Sequence, residues 1–593
     1  MNDPAERLAA LRTLLREEGL THYLVPSSDE HLSEYPPAWR LRRPWLSGFT
    51  GSAGDVLVGI EDAWLFVDGR YHVQAAAELA GSGISLSRVG APGQLTLFEH
   101  LHQVAKDTEG AVVGYEPWIV SSAFALALRE VVEGGGGDLR SVKSELVDRI
   151  WQDRPVAVRT PLVPVATEWA GRPTGEKLAE LRASLQELGA DATVLVKLDQ
   201  IAWLTNCRSA DDVAFNPVFE GYAWVDAEQL VVFVHGGSER LPEGLDLPGV
   251  RFEDYEGFRS FLQARSEGGS VLLDPTGITR GVEALLEQRD QQILLAPSPV
   301  EAAKARKNEQ ERDGMRRANR QASAAKTRSL WWVKDTCAKG ETVTERRFLE
   351  HIESTYRQMK DYWGLSFRTI SAAGAHSALP HYGNADDTPL KSGELFLIDS
   401  GTQNAGGTTD DTRTIVIGQP SAEQRRIYTL VLKCHIASAA QVFPAGTPGS
   451  ALDALTRAPL WAAGLDYDHG TGHGVGCFLN VHEGPFALSD QKRKPFAATP
   501  LEEGMITSIE PGYYREGWGG IRIENLYLIV EDHVDESGRQ WLRFDSLTFI
   551  PLEDELIDVD LLDAQERAWL EAYRSRTKQE LTSELTQEEL ARL

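Results

Sequence analysis

Apolar positions along the chain recur with two periods. From Arg7, RLAALRTLLREEGLTHYLVPSSDEH spaces its leucines for one face of a helix, stops at Gly19 and runs on into an apolar stretch. A glycine just past the last periodic leucine supplies the left-handed residue that ends a helix. From Lys177, KLAELRASLQELGADATVLVKLDQI repeats that order. Leu11, Arg12, Leu15, Gly19 and Asp29 match Leu181, Arg182, Leu185, Gly189 and Asp199 at a single offset of 170 residues, with no gap. Helix, glycine, strand is a common unit, but five identities at one offset favour a duplication. DVLVGI and AWLFVDG in the first copy, and QLVVFVHG and SVLLDP in the second, read as strands. The pattern predicts two α/β domains of the same kind, with GGGG at 134–137 a surface loop of the first.

Two proline-rich stretches punctuate the pattern, Pro155–Pro173 and the segment around Pro297 and Pro299. Proline stops helices and favours extended linkers, so boundaries are expected near 160 and 303, giving domains 1–160, 161–303 and 304–593. The third domain opens on a helical pattern from about Glu301 to Lys334. ELFLIDSG and TRTIVIG then read as strands, and SAEQRRIYTLVLKCHIASAAQVF as a helix opening on a Ser N-cap. MITSIEPGYY and GGIRIENLYLIV predict a further strand pair and WLRFDSLTFIPLE a late strand, and the tail from Asp563 is helical and charged.

Composition narrows the class. The 593 residues are 42% hydrophobic and 25% charged, ordinary for globular domains. A net charge of −28 disfavours phosphate backbones and anionic lipid as partners. The basic runs Lys304–Lys307 and Lys492–Lys494 are short and read as solvated faces. Cys207, Cys337, Cys434 and Cys477 are far apart, which suggests neither a disulfide framework nor a thiolate zinc site. The N-terminus reads as a charged amphipathic helix, not a signal peptide, and no apolar run has membrane-spanning length. A cytoplasmic location is expected.

The third domain concentrates polar residues where strands should be. Asp399 ends the apolar run Leu395–Ile398, and Asp410 and Asp411 open the next strand. A carboxylate at the end of a buried strand is costly unless paired or bound to a metal. A lone one reads as a turn residue, but here several converge. HGTGHGVG places His469 and His473 in a glycine-rich loop, and His482 follows CFLNV. Glu510 follows an apolar strand in SIEPG, and alternation puts Arg522 and Glu524 on one face of IRIEN with Ile521 and Ile523 on the other. Alternation alone does not choose between Asp410 and Asp411. Asp399, Asp410, His473, Glu510 and Glu524 make a hard, oxygen-rich set that suits Mn²⁺ or similar divalent ions. Four carboxylates balance two such ions, and one ion alone would leave two buried charges uncompensated.

The strings IDSG…TTDDTRT, HGTGHGVGCFLNVHEGP, SIEPGYY and GIRIEN resemble, in order and spacing, the metal-site signature of the pita-bread metallopeptidases, the family of prolidase, creatinase and methionine aminopeptidase. The resemblance extends over nearly the whole chain. LVPSSDEHLSEYPPAWRLRRPWLSGFTGSAG, IAWLTNCRSADDVAFNPVFEGYAWV and FDSLTFIPLEDELIDVDLLDAQERAWLEAY are similar to the first domain, second domain and C-terminal extension of cytosolic three-domain Xaa-Pro aminopeptidases. The resemblance implies two creatinase-type N-terminal α/β domains, a pita-bread α+β catalytic domain and a homodimer. By its motif Asp399 would chelate one metal, Asp410 rather than Asp411 and Glu524 would bridge two, and His473 and Glu510 would hold the second. His381, His469 and His482 match positions around the substrate, and Arg522 a position beside the bridging glutamate. The implied reaction removes the first residue from peptides with proline second, by attack of a hydroxide held between two metal ions, with Glu510 as base and His381 and His482 assisting. Alternatives are a prolidase acting on Xaa-Pro dipeptides and a non-catalytic pita-bread scaffold. The chain departs from the family pattern at Asn319, Ala322, His376 and Cys477, none of them a metal ligand, and His351, His435 and His533 match nothing and read as surface or packing residues.

Overall fold

A computed structural model describes every residue except 1, 2, 244, 246, 266, 267, 290, 492 and 493; Lys492 and Arg493 of the second basic run thus lie outside the described residues. The first helix, α1 (Pro4–Glu18), ends where Gly19 takes φ 66°, and buries Leu8, Leu11 and Leu15. Strands β1 (His22–Val25), β2 (Asp55–Gly59), β3 (Ala63–Val67), β4 (Ser85–Arg88), β5 (Val112–Tyr115) and β6 (Asp138–Ser141) follow. They form one sheet in the order 4-3-2-1-5-6. Alternation divides its residues between two cores: Tyr23, Val25, Val56 and Val58 pack with α1, while Leu24, Leu57 and Val113 face the opposite layer with Leu101 and Leu128.

The second copy starts with α2 (Thr174–Glu187) and has strands β7 (Ala192–Leu195), β8 (Gly221–Asp226), β9 (Leu230–Val234), β10 (Val250–Asp254), β11 (Ser270–Leu273) and β12 (Gln292–Leu295). Their order, 10-9-8-7-11-12, is that of the first sheet. In both sheets the central strand is antiparallel to its left neighbour and parallel to its right. The matched residues do matched work. Gly189 has φ 73°, Leu181 and Leu185 are buried, and Arg12 and Arg182 each donate from Nε to the carbonyl ending the antiparallel neighbour, Gly59 O at 3.0 Å and Asp226 O at 2.8 Å.

The chain divides into two compact units, one of residues 1–164 and 172–300, the other of 165–171 and 301–593. The segment Val165–Gly171 thus belongs with the C-terminal half of the chain. Within that second unit Arg317 lies over the Trp169 ring at 4.1 Å, and Asn308 Nδ2 donates to Ala170 O at 2.9 Å.

The helical pattern after Glu301 proves to be two helices, α3 (Pro299–Ala305) and α4 (Glu309–Ala338). The break is a capping box: Asn308 Oδ1 accepts from Glu311 N and Glu311 Oε2 from Asn308 N, both at 3.0 Å. The reading of Lys304–Lys307 as a solvated face is also corrected. Lys304 and Lys307 are buried, and both ammonium groups pair with Glu483, Lys304 at 2.7 Å. A partner about 180 residues away cancels the charge that made the run look solvent-facing.

A three-stranded antiparallel sheet, β13 (Ile370–Ala373), β14 (Leu395–Ser400) and β15 (Asp411–Val416), underlies the site with β14 central. Phe396 and Ile398 of β14 pack with Phe348 and Ile352, and Leu395 packs with Tyr428 and Val431 of α5 (Ala422–Ala439), whose N-cap is Ser421. After α6 (Gly449–Ala462), β16 (Gly472–Gly474), β17 (Glu483–Leu488), β18 (Ile506–Ile509), β19 (Gly512–Arg515), β20 (Gly519–Arg522), β21 (Asn525–Val534) and β22 (Gln540–Ser546) complete the unit, with α7 (Ala564–Glu580) near its end. Among the described residues no helix is long and apolar enough to cross a membrane. The four cysteines are free.

Burial in the first unit has a consequence for stability. Arg42 bonds Glu30 and Asp148 closely, which leaves it 3.9 Å from Glu145. Burial pushes the Glu145 carboxyl up to about 7. A carboxyl whose folded pKa exceeds its unfolded value takes up a proton on folding, so it favours the fold below its unfolded pKa and loses that contribution as pH rises through 7. Between about pH 4.5 and 7 the loss is about 3 kcal/mol. A glutamine at this position would keep the hydrogen bond to Tyr23 OH, which Glu145 makes at 3.0 Å, and remove the titration. Glu145→Gln is therefore expected to flatten the pH dependence of the melting temperature between pH 5 and 8. An unchanged slope would remove Glu145 as its cause.

Candidate metal centre

Asp399 is the penultimate residue of β14, and Asp410 immediately precedes β15. The strands pair Asp399 with Thr412 and Ser400 with Asp411. This register sends the adjacent aspartates to different partners. Asp410 Oδ2 lies 3.3 Å from His473 Nε2. Asp411 is paired to the buried Lys326 ammonium of α4, which also donates to Asp411 O at 2.5 Å and Ser400 O at 3.4 Å.

His473 lies in the short strand β16 and not in an open loop. Its glycine neighbours allow this: a Cβ on Gly472 would sit 2.0 Å from Ser508 O, and one on Gly474 2.4 Å from Glu483 O. His473 Nδ1 donates to Gly474 O at 2.9 Å, which fixes the tautomer and leaves the Nε2 lone pair facing Asp410 and Glu510 Oε1, the latter at 3.5 Å. Glu510 follows β18 and receives Ser508 Oγ at 3.1 Å, while the same hydroxyl accepts from His473 N at 3.0 Å. Glu524 lies between β20 and β21, and its Oε2 accepts from Thr412 Oγ1 at 2.6 Å.

Ligand atoms converge in three overlapping triads, each within 4.8 Å: Asp399, Asp410 and Glu524; His473, Glu510 and Glu524; Asp410, His473 and His482. The five residues proposed as ligands from sequence are therefore together, and His482 stands beside them with its ring 4.3 Å from that of His473. Burial drives the Asp410 and Glu524 carboxyls well above the ordinary range, and the neighbouring carboxylates add to it. Glu510 is raised by burial and Asp410, against the pull of His473. Burial, with His482 adding, pushes His473 down to about 4, which keeps it neutral. Asp399 Oδ1 is buried with no hydrogen-bond partner. An orphaned carboxylate oxygen, crowded carboxylates and a bare imidazole nitrogen fit divalent cations.

Arg522 is bound to Asp399 Oδ2 at 2.6 Å and reaches Glu524 only through Thr412 Oγ1, at 3.0 Å. It also donates to Tyr514 OH at 2.6 Å and Pro380 O at 3.2 Å, next to half-buried His381. Tyr514 OH lies 3.0 Å from His469 Nε2, and His469 Nδ1 donates to Gly470 O at 2.8 Å. One polar chain thus runs from Asp399 through Arg522 and Tyr514 to His469. Tyr514, Thr412 and Ser508 were not found from sequence. Thr412 and Ser508 lie two residues from Asp410 and Glu510, so alternation could have flagged them. Nothing in GYY separates Tyr514 from Tyr513, which is buried in an apolar cluster.

Of the departures, Ala322 packs in the core with Phe348 and Phe396, and Asn319 donates to Met315 O at 2.9 Å. His376 Nδ1 lies 2.8 Å from Glu345 Oε1, and Cys477 Sγ donates to Gly406 O at 3.2 Å. His351 stacks on Trp332, and His533 on Trp541.

Comparison with known proteins bears on the whole chain. Residues 313–531 match the model of metallopeptidase family M24, 7–150 and 153–311 each match the creatinase/prolidase N-terminal domain, and 540–593 match the C-terminal region of peptidase M24. A relative from Pyricularia oryzae, named as a probable Xaa-Pro aminopeptidase P, is 38% identical over 96% of this chain and 94% of its own. The crystal structure of X-prolyl aminopeptidase from Caenorhabditis elegans, described as a cytosolic enzyme with a di-nuclear active site, superposes with a TM-score of 0.93 at 34% identity, over 100% of this chain and 98% of that one. The prolidase from Pyrococcus horikoshii OT3 superposes with a TM-score of 0.51 at 26% identity, over 64% of this chain and 99% of its own. The chain belongs to metallopeptidase family M24, among the Xaa-Pro aminopeptidases P.

Proposed function

We propose that the chain releases the N-terminal residue from peptides with proline second, using two divalent ions, Mn²⁺ by preference. The observation that carries this reading is the overlap of the triads: Asp410, His473 and Glu524 are each shared by two, and of these the two carboxylates have the second oxygen that a bridging ligand of a pair of ions needs. Asp399, Asp410, His473, Glu510 and Glu524 would hold the ions. Two ions bound there would polarise the scissile carbonyl and acidify a water. Glu510 would accept a proton and return it to the proline nitrogen, which has no hydrogen of its own and must be protonated to leave. His381 and His482 would donate to the developing oxyanion. His469 and Arg522, joined through Tyr514, would help to fix the peptide. A cytoplasmic homodimer, with no nucleic-acid or membrane partner, completes the reading. The acidic net charge of −28 supports the absence of a nucleic-acid or anionic-membrane partner, and the description of the C. elegans neighbour as cytosolic supports the location.

The test is elemental analysis alongside activity. A chelator is expected to abolish cleavage, Mn²⁺ to restore it best, and the saturated protein to hold two ions per chain. A limit of one ion would count against a paired centre. His381→Ala and His482→Ala are each expected to retain both ions and to lose about 10²–10³ in kcat. Full activity in both variants would take these histidines out of the mechanism.

A further inference from the structure

Arg413, on β15, is completely buried. Its guanidinium faces six acceptors, Thr412 O, Glu524 O, Asn525 Oδ1, Ile550 O and Tyr573 OH, each at 2.8 Å, and Pro551 O at 3.2 Å, of which Asn525 Oδ1, Ile550 O and Tyr573 OH share the two hydrogens of Nη2. No acceptor in this set is a carboxylate. A buried cation is normally kept for a counter-anion, so this one needs another account, and its acceptors suggest it. Two lie beside the shared carboxylate: the carbonyl of Glu524 itself, and that of Thr412 on β15, whose hydroxyl bonds Glu524 Oε2. Three lie in the C-terminal region: Ile550 O, Pro551 O and the hydroxyl of Tyr573 on α7, which itself donates to Ile550 O at 2.8 Å.

A second tether reaches the same place. His435 of α5 is buried, its Nδ1 donates to Ile523 O at 3.2 Å, and its Nε2 accepts from Tyr527 OH at 2.7 Å. Trp569 of α7 meets the His435 ring edge-on at 5.9 Å and stacks on Tyr573 at 5.3 Å. The carbonyls of consecutive residues 523 and 524 are thus held by two side chains, both backed by one turn of α7. The Glu524 carboxylate is fixed on one side by Thr412, and its backbone on the other by groups that never touch the carboxylates.

We propose that the C-terminal region is a positioning element of the metal centre, acting through Tyr573 and Trp569 on Arg413 and His435, which fix the backbone that aims Glu524. The inference rests on the two-ion reading above. It is distinct from a charge effect, because a guanidinium offers five donors in one plane while an ammonium offers three on a point. Arg413→Lys therefore keeps the charge and loses the geometry.

The experiment is Mn²⁺ titration against a chromogenic chelator, with kcat and KM for a proline-second tripeptide and the melting temperature of metal-free protein. Arg413→Lys is expected to weaken binding of at least one ion by about 10–100-fold, the usual effect of removing a group that orients a ligand, and to lower kcat with KM little changed. Tyr573→Phe, which removes one hydrogen bond, is expected to act in the same direction by about threefold to tenfold. A purely structural role would lower the metal-free melting temperature and leave the affinity of the folded protein alone. Parental Mn²⁺ affinity in both variants would overturn the proposal, and if Arg413→Lys does not fold, Tyr573→Phe alone decides. A parent that binds at most one ion overturns the two-ion reading itself, and this inference with it, before any variant is compared.

Discussion

Asp410→Asn is expected to bind no stable metal pair and to turn over at the level of chelated enzyme, whereas Asp411→Asn keeps its metal and loses stability. The residues are adjacent and differ only in what they face. Asp410 belongs to two of the three triads, so an amide there weakens both ion positions at once. Asp411 belongs to none, and its carboxylate is spent on Lys326, which is fully buried. Removing one partner of a buried ion pair leaves the other uncompensated and costs about 3–5 kcal/mol. Metal content and melting temperature of the two purified variants separate the roles. The reverse assignment, metal lost at 411 and kept at 410, would mean that the strand register is displaced by one residue.

The second large effect concerns substrate length. The prolidase neighbour matches 64% of this chain, and the C. elegans X-prolyl aminopeptidase matches all of it, including both N-terminal domains and the C-terminal region. A dipeptidase must meet a carboxylate directly after proline, and an aminopeptidase must leave that side open to more chain. Xaa-Pro-Yaa is therefore expected to be cleaved after its first residue with kcat/KM about a hundredfold or more above that for Xaa-Pro, since a site not built for that carboxylate leaves it unpaired. Acetylating the amino terminus should stop cleavage, and alanine at the second position should slow it strongly. A dipeptide that matches its tripeptide would make the protein a prolidase.

What the sequence disclosed follows from the range of each interaction. The duplication was legible because its marks are local: leucines at helical spacing, a left-handed glycine, then a strand. The carboxylate candidates stood out because carboxylates at the ends of apolar strands have few inexpensive explanations, whereas His473 was marked by its glycine-rich string and Asp410 was separated from Asp411 by the family motif alone. Charge misled where its partner was remote. Lys304 and Lys307 look solvated until Glu483 is placed against them. The break before α4 was signalled by NEQE, a capping box with Asn308 first and Glu311 fourth, but a continuous charged helical pattern masked it. Tyr514 had no local mark at all, because its role is set by Arg522 and His469 arriving from other strands. The same holds for His435, which is a packing residue as the sequence suggested but one that grips Ile523 O.

The excursion of Val165–Gly171 into the catalytic unit means that neither unit is a single continuous stretch of chain. The polypeptide passes between them three times, after 164, after 171 and after 300. A single protease nick near 300 therefore does not yield two free modules, because the N-terminal fragment still carries Trp169 and Ala170, whose partners Arg317 and Asn308 lie on the other piece. Excising the catalytic half at 301 leaves Arg317 without its aromatic partner and Asn308 without an acceptor. A transplantable catalytic module has to take residues 165–171 with it, as a peptide supplied in trans or as a circularly permuted graft.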